Sequence, residues 1–215
     1  HLSSQMGLEQ IKKAKLSRLH ITTETCPHYL YFTQKDFENE KIRNFLKTAP
    51  PVKCDKDVES LWQGLNEGLI SFVVTDHAGC NSEEEKSSGN FWEVYSGIPG
   101  VEHRVPFMFS EGLLKGRLSL QKTIELLSTN IAEYFNIPDK GYLKPGCDAD
   151  FCLIDLWNSQ IVKSSEMQSK GKYTPFENVT FNAVVNQTYL RGDKIFDLNE
   201  PVADNYNYGK FITVK

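Results

Sequence analysis

Asp76 and His77 are the residues of this chain best placed to do chemistry. They close the apolar, β-branched run Ile70-Ser71-Phe72-Val73-Val74-Thr75, and the chain breaks at Gly79 just beyond them. A run of this length and character fits a strand buried on both faces, as in a parallel sheet covered by helices. The carboxyl end of such a strand is where open α/β sheets and (β/α) barrels put their reacting groups. A carboxylate there can ligate a metal or move a proton. The plainer alternative is an aspartate that caps the next turn.

The other histidines are His1, His20, His28 and His103. His1 heads His1-Leu2-Ser3-Ser4, and if a strand precedes it, its imidazole stands at that strand's carboxyl end. His1 and Asp76 together offer imidazole nitrogen and carboxylate oxygen, which suit a divalent metal such as zinc. Two donors alone do not make a site. No HxH, HExxH or GxSxG pattern is present, so zincin and serine-hydrolase readings have no support.

The elements that must position these groups alternate between helix and strand. Ser3 or Ser4 can cap a first helix through Met6, Ile11 and Ala14. His20 to Thr25 reads as a strand running into the loop Cys26-Pro27-His28-Tyr29-Leu30. Residues 32–54 look irregular, with a break at Ala49-Pro50-Pro51. Asp55 to Asn66 is an amphipathic helix with Val58, Leu61, Trp62 and Leu65 on one face. The strand Ile70 to Thr75 follows, which makes the chain α/β. Asn81 to Gly89 is a charged loop, either a lid or simply solvated, and Ser96 to Gly100 is a tight loop. Helices are expected over Val105 to Leu114, over Ser119 to Ser128 with Leu120, Ile124 and Leu127 on one face, and over Asn130 to Phe135. From Gly141 the pattern turns to β. Strands are expected at Asp150 to Asp155, at Ala183 to Leu190 and, after the hairpin turn Arg191-Gly192-Asp193, at Lys194 to Phe196. This places a domain boundary between 1–140 and 141–215. The tail after Pro201 should be surface-bound or frayed.

The totals fit this picture. The chain has 215 residues, 40% apolar and 24% charged, with a net charge of -4, which is the composition of an ordinary globular protein with a real core. No long basic run is present, which argues against nucleic acid as a partner. No apolar stretch approaches a membrane span and no signal-peptide pattern appears, so no membrane partner is expected. Five scattered cysteines without a CxxC pair fit free thiols in the cytoplasm. The first residue is His1 rather than Met, which suggests a fragment or a cleaved chain.

Taken together, the motifs resemble the C-terminal part of the cyclic amidohydrolases, the group of hydantoinases, dihydropyrimidinases, allantoinases and dihydroorotases. The residues that carry the likeness are His1-Leu2-Ser3-Ser4, Glu24-Thr25-Cys26-Pro27-His28-Tyr29-Leu30, Ala49-Pro50-Pro51, Thr75-Asp76-His77 and Gly97-Ile98-Pro99-Gly100-Val101-Glu102. Lys140-Gly141 through Gly146-Cys147-Asp148-Ala149-Asp150 and Tyr173-Thr174-Pro175-Phe176 extend it over nearly the whole chain. Any one of these motifs is weak, but seven in the family's order are strong.

The resemblance implies the C-terminal part of a metal-dependent (β/α)8 TIM barrel, its strands six to eight, with strands of a small β-sandwich domain beside it. It implies that His1 is a metal ligand at the end of strand six, and that Asp76, ending strand eight, both touches the metal and moves protons. Metal-activated water would open a small cyclic amide or ureide ring. The metal is expected to be Zn2+, binuclear in the intact protein, with the HxH pair, a bridging carboxylated lysine and a strand-five histidine all lying before His1. The isolated chain is therefore expected to be inactive. Ala49, Ser96 and Gly97 would bind the ring through backbone hydrogen bonds. His28 is expected to act structurally or from behind the metal ligands rather than as a ligand itself, since hydantoinases carry Gln there. His77 reads as second-shell, ordering the loop after Asp76, and His103 reads as a surface or helix-start residue. The protein would be a homo-oligomer.

Departures within the family bear on the substrate. Dihydroorotases carry Asn where Ala49 stands and His where Cys80 stands. Asp76-His77-Ala78-Gly79-Cys80 looks closer to allantoinases, and Pro99 through Arg104 with Ser110-Glu111-Gly112 looks closer to hydantoinases. Tyr173-Thr174-Pro175-Phe176 leans to dihydroorotase and allantoinase. Two alternatives therefore stay open: a dihydroorotase, and a non-catalytic dihydropyrimidinase-like scaffold of the collapsin-response-mediator kind. Retention of His1 and Asp76 speaks against the scaffold.

Overall fold

Ser4 opens the first helix, α1 (Gln5–Leu16), with its hydroxyl accepting the Gly7 N–H. The computed structural model describes residues 1–200 and 209–213. The chain returns from α1 to β1 (Glu24–Thr25), enters a 3-10 turn over Pro27–Leu30, and crosses an irregular stretch to α2 (Asp55–Asn66). The helix boundaries match the expected ones, and Leu61, Trp62 and Leu65 are buried along one face, Val58 only partly. Each fully buried leucine contributes roughly 1.5–3 kcal/mol, so this face rather than helix propensity anchors α2.

α2 leads into β2 (Phe72–Val73), which pairs parallel with β1 in the register Glu24 to Phe72 and Thr25 to Val73. Both strands are shorter than the runs His20–Thr25 and Ile70–Thr75 that were expected to form them. The ladder extends only to Ser71 N–H on Thr23 O and Val74 N–H on Thr25 O. On the other edge of β1, Leu2 N–H donates to Glu24 O and Thr25 Oγ1 donates to Leu2 O, so His1-Leu2-Ser3 runs alongside β1. Three extended segments thus lie in the order 1–3, β1, β2. This order brings His1 and Asp76 to the same end.

After β2 the charged loop forms the short helix α3 (Ser82–Glu85), whose Glu83, Glu84 and Glu85 are exposed as a solvated acidic run would be, whereas Lys86 turns inward and is buried. Helix α4 (Arg104–Phe107) continues with π-type turns through Met108–Leu114. α5 (Leu120–Ile124) and α6 (Asn130–Tyr134) are joined by a π-type turn over Glu125–Thr129. The inward face of α5 differs from the expected one. Leu120 and Ile124 are exposed, Leu127 packs partly against the core, and Thr123 and Leu126 are buried in it. Thr123 can occupy a core position because its hydroxyl donates to Ser119 O, leaving no orphan polar group.

Beyond Gly141, β3 (Phe151–Asp155), β6 (Val184–Leu190) and β7 (Asp193–Asp197) form an antiparallel sheet in the order β3-β6-β7. The β6–β7 turn is Arg191-Gly192, with φ of 52° and 88°, the left-handed pair that a two-residue hairpin needs. A separate pair, β4 (Gln160–Ile161) with β5 (Thr180–Phe181), accompanies Val162, Phe176 and Phe181 into the same apolar core as Leu30, Leu61 and Phe107. The expectation for the tail falls mostly on residues 201–208, which lie outside the described residues.

Candidate active site

Asp76 lies three residues beyond β2 with φ of 47°, in the left-handed region that only Gly, Asn and Asp visit readily. Such a turn swings the carboxylate away from the strand's own alternation, and strained backbone of this kind gathers at functional sites. Asp76 Oδ1 stands 2.8 Å from His1 Nε2, and both side chains are about a third exposed. On the other side of the ring, His1 Nδ1 donates to Glu24 Oε1 at 2.8 Å. A carboxylate can only accept, so both contacts need a ring N–H: Glu24 keeps the proton on Nδ1, and the one on Nε2, facing Asp76, is the proton that a cation would displace. Sequence reasoning placed Glu24 in a strand but gave it no role. The missing signal is cross-strand: Leu2 pairs with Glu24, a relation that spacing along the chain does not reveal.

His77 makes the turn after Asp76. Its Nδ1 accepts the amides of Gly100 and Val101 at 3.2 and 3.3 Å, and it bridges in parallel to Ile98. The Ile98–Gly100 loop therefore runs against Thr75–Ala78. The fit is tight, since a Cβ at Gly97 would meet Ala78 Cβ at 2.7 Å and Ala78 O at 2.9 Å. A cleft of about 940 Å³ opens beside His77, walled by Cys80, Glu85, Tyr95 and Ser169 among others.

The three residues expected to bind a ring through their backbones differ from one another. Ala49 and Ser96 are exposed, and their amides have no partner among the described residues. Gly97 is buried: its N–H donates to Lys47 O at 3.0 Å and its carbonyl accepts from Tyr173 OH at 3.0 Å. Its amide is spent inside the fold. Tyr29 OH, donating to Pro50 O at 2.8 Å, ties the Ala49 loop to the turn that carries His28.

His28 is buried, and its Nε2 has no hydrogen-bond partner among the described residues. Burial lowers its pKa to about 4 despite an opposing pull from Asp76. Cys26, at the same turn, is wholly buried, and its thiol is pushed up to about 12, first by burial and then by Asp76, so it is inert. His103 corrects the expectation of a surface residue. It does start α4, but it is buried, with Nε2 2.9 Å from Thr174 Oγ1 and its ring against Phe176 and Phe181. Burial lowers its pKa to about 4.

The donor set at His1 and Asp76 is what a divalent cation takes: one imidazole nitrogen and one carboxylate oxygen, converging on one point with a carboxylate behind the imidazole. The described residues hold no group of three or more such donors, so they fit a metal as two corners of a site.

Comparison with known proteins gives the family. The amidohydrolase family model matches residues 8–195. D-phenylhydantoinase of Escherichia coli O1:K1 is 34% identical over 199 residues, 91% of this chain and 43% of that protein. Allantoinase of Escherichia coli strain SE11 is 33% identical over 214 residues, 99% of this chain and 46% of that protein. Among solved structures, the L-hydantoinase (dihydropyrimidinase) from Arthrobacter aurescens superimposes with a TM-score of 0.92 at 34% identity, covering 99% of this chain and 47% of its own. The chain thus spans less than half the length of the relatives it matches. The likeness implies a TIM-barrel-type fold in which β1 and β2 are neighbouring parallel strands. No helix among the described residues is long and apolar enough to cross a membrane. By its sequence and its fold, the chain belongs to the amidohydrolase family.

Proposed function

We propose that this chain carries one side of the active site of a metal-dependent hydrolase that opens cyclic amide or ureide rings of the hydantoin, allantoin or dihydropyrimidine kind. The observation that carries the reading is the 2.8 Å approach of His1 Nε2 to Asp76 Oδ1, from the two segments that flank β1 on either side. The names of the relatives, D-phenylhydantoinase and allantoinase, support the substrate class. The site is the mouth of a (β/α)8 barrel, of which residues 1–140 supply strands six to eight. Residues 141–215 supply strands of a β-sandwich, with β3, β6 and β7 as its sheet.

His1 through Nε2 and Asp76 through its carboxylate would hold the cation, Zn2+ in our reading. The other donors of a binuclear centre, a carboxylated lysine among them, would come from outside these 215 residues. When bound, the metal lowers the pKa of water towards neutrality and stabilises negative charge on the ring carbonyl oxygen. The chain's own residues do the rest. Asp76 takes the proton of the attacking water and hands it to the departing ring nitrogen. Glu24 holds the tautomer of His1 that leaves Nε2 free for the metal. Ala49 and Ser96 offer backbone groups to the ring edge, and Gly97 shapes that loop beside Ala78. His28 and His77 act from behind this layer, His77 by holding the Gly100 and Val101 amides. Five unpaired cysteines support a reducing cytoplasm, and the family resemblance supports a homo-oligomer.

The protein at the full length of its relatives, loaded with zinc, is expected to open allantoin, hydantoin or dihydrouracil in preference to dihydroorotate. Residues 1–215 alone should open none of them. No hydrolysis of any ring by the full-length protein, or no bound metal, would favour the scaffold and end the enzyme reading. Glu24→Gln should weaken zinc binding by about 10- to 100-fold, the usual cost of losing a carboxylate behind a metal-bound histidine. A competitive-chelator titration reads this directly, and an unchanged affinity would remove Glu24 from the site.

A further inference from the structure

Lys86 follows three glutamates, Glu83, Glu84 and Glu85, in a loop whose composition reads as solvated, yet it is only 2% exposed. Among the described residues its ammonium has no carboxylate partner. Nζ donates instead to three backbone carbonyls, those of Asn44 at 3.1 Å, Lys47 at 3.3 Å and Tyr95 at 2.8 Å. It also lies 5.2 Å from the ring centroid of Tyr173 and 5.9 Å from that of Tyr95. Burying an ammonium without a counter-charge is costly, and an apolar side chain of similar size would fill the same space without that cost. What the charge adds is three directed donors.

Those donors meet at an informative place. Lys47 lies two residues before Ala49, and Tyr95 immediately precedes Ser96. Lys47 O accepts from both Lys86 Nζ and the Gly97 N–H. The joint is reinforced from outside, where Lys47 Nζ donates to the carbonyls of Phe91 and Trp92 and Asn44 Nδ2 donates to those of Lys86 and Ser88. The two loops whose backbones bear on the ring in the proposed reaction are therefore joined through one buried ammonium.

We propose that Lys86 is a positioning residue for substrate: its ammonium locks the Ala49 and Ser96 loops at one spacing, so that their backbone groups meet a cyclic amide together. This rests on the ring-hydrolase reading above. A neutral amine has two N–H groups for three carbonyls, so loss of the proton leaves one of them without its donor and loosens the joint between the loops. Burial lowers the Lys86 pKa to about 8. The groups that face it are Cys80 and Glu85 from its own loop, which oppose the shift, Lys47, which adds to it, and the phenols of Tyr95 and Tyr173.

In the full-length, zinc-loaded protein, Lys86→Met should raise KM for a ring substrate about tenfold while kcat stays within about threefold, the pattern of lost ground-state positioning. In the unaltered protein KM should climb between about pH 7 and 9, and the climb should be absent from Lys86→Met. A variant whose KM stays within about twofold, or a climb that survives the substitution, overturns the proposal. If Lys86→Met does not fold, hydrogen–deuterium exchange of the unaltered protein decides. Corrected for intrinsic rates, amides at 44–49 and 92–97 should gain exchange over the same pH range, and unchanged protection overturns the proposal. A protein inactive on every ring overturns the reading beneath the proposal, whereas an active protein indifferent to Lys86→Met overturns the positioning role alone.

Discussion

Asp76→Asn in the full-length protein should cut ring opening by about a thousandfold or more while leaving the fold intact, because a positioned acid–base group alone contributes roughly 10²–10⁴-fold. The substitution separates chemistry from backbone geometry. Asp76 sits at φ of 47°, and Asn is the residue that tolerates the left-handed region best after Gly, so the turn into His77 keeps its shape. The amide oxygen can still face His1 Nε2 as Oδ1 does now. What disappears is the negative charge that a cation needs and the oxygen that can take and return a proton. The measurement is kcat/KM with bound zinc and a melting curve on the same preparation. A folded, zinc-loaded variant that retains activity within about tenfold would take Asp76 out of the proton path.

That such a test can be framed from one residue reflects how much of the site lies in short runs of sequence. The buried run ending in Asp76 and the segment headed by His1 each place one group at a strand's carboxyl end, and parallel pairing aligns those ends. The helix Asp55–Asn66 was equally legible, since its periodic apolar face is the face it buries. The features that escaped depend on partners distant in sequence. Glu24 gains its role only because Leu2 pairs beside it, and Lys86 looks like part of an acidic loop until three carbonyls from two other segments surround it. Leu120 and Ile124 were expected on one face with Leu127, but Thr123 takes the core position by returning its hydroxyl to the helix. The strands at residues 20–25 and 70–75 appear shorter than their composition suggests because strand length is set by the neighbour's ladder rather than by β-branching.

His103 escaped for the same reason, and its burial carries the second large prediction. Desolvation lowers its pKa from 6.5 to about 4, and His28 shows the same shift. A base with a depressed pKa in the folded state binds fewer protons there than in the unfolded chain between those values. Stability from this source is therefore complete above about pH 6.5 and drains away as pH falls towards 4. At 1.36 kcal/mol per pKa unit the loss approaches roughly 3 kcal/mol for each histidine at the acid end, large against a typical stability of 5–15 kcal/mol. His103→Gln isolates one of the two, because an amide can keep a hydrogen bond to the Thr174 hydroxyl that now lies 2.9 Å from Nε2 yet cannot titrate. Urea unfolding at pH 7 and at pH 4.5 should show the unaltered protein losing about 2–3 kcal/mol more than the variant over that interval. Carboxylates titrate in both proteins and cancel in the difference. Parallel losses would mean that the His103 ring takes up its proton without leaving the core, and the packing of Phe176 and Phe181 against it could not then be what keeps it neutral.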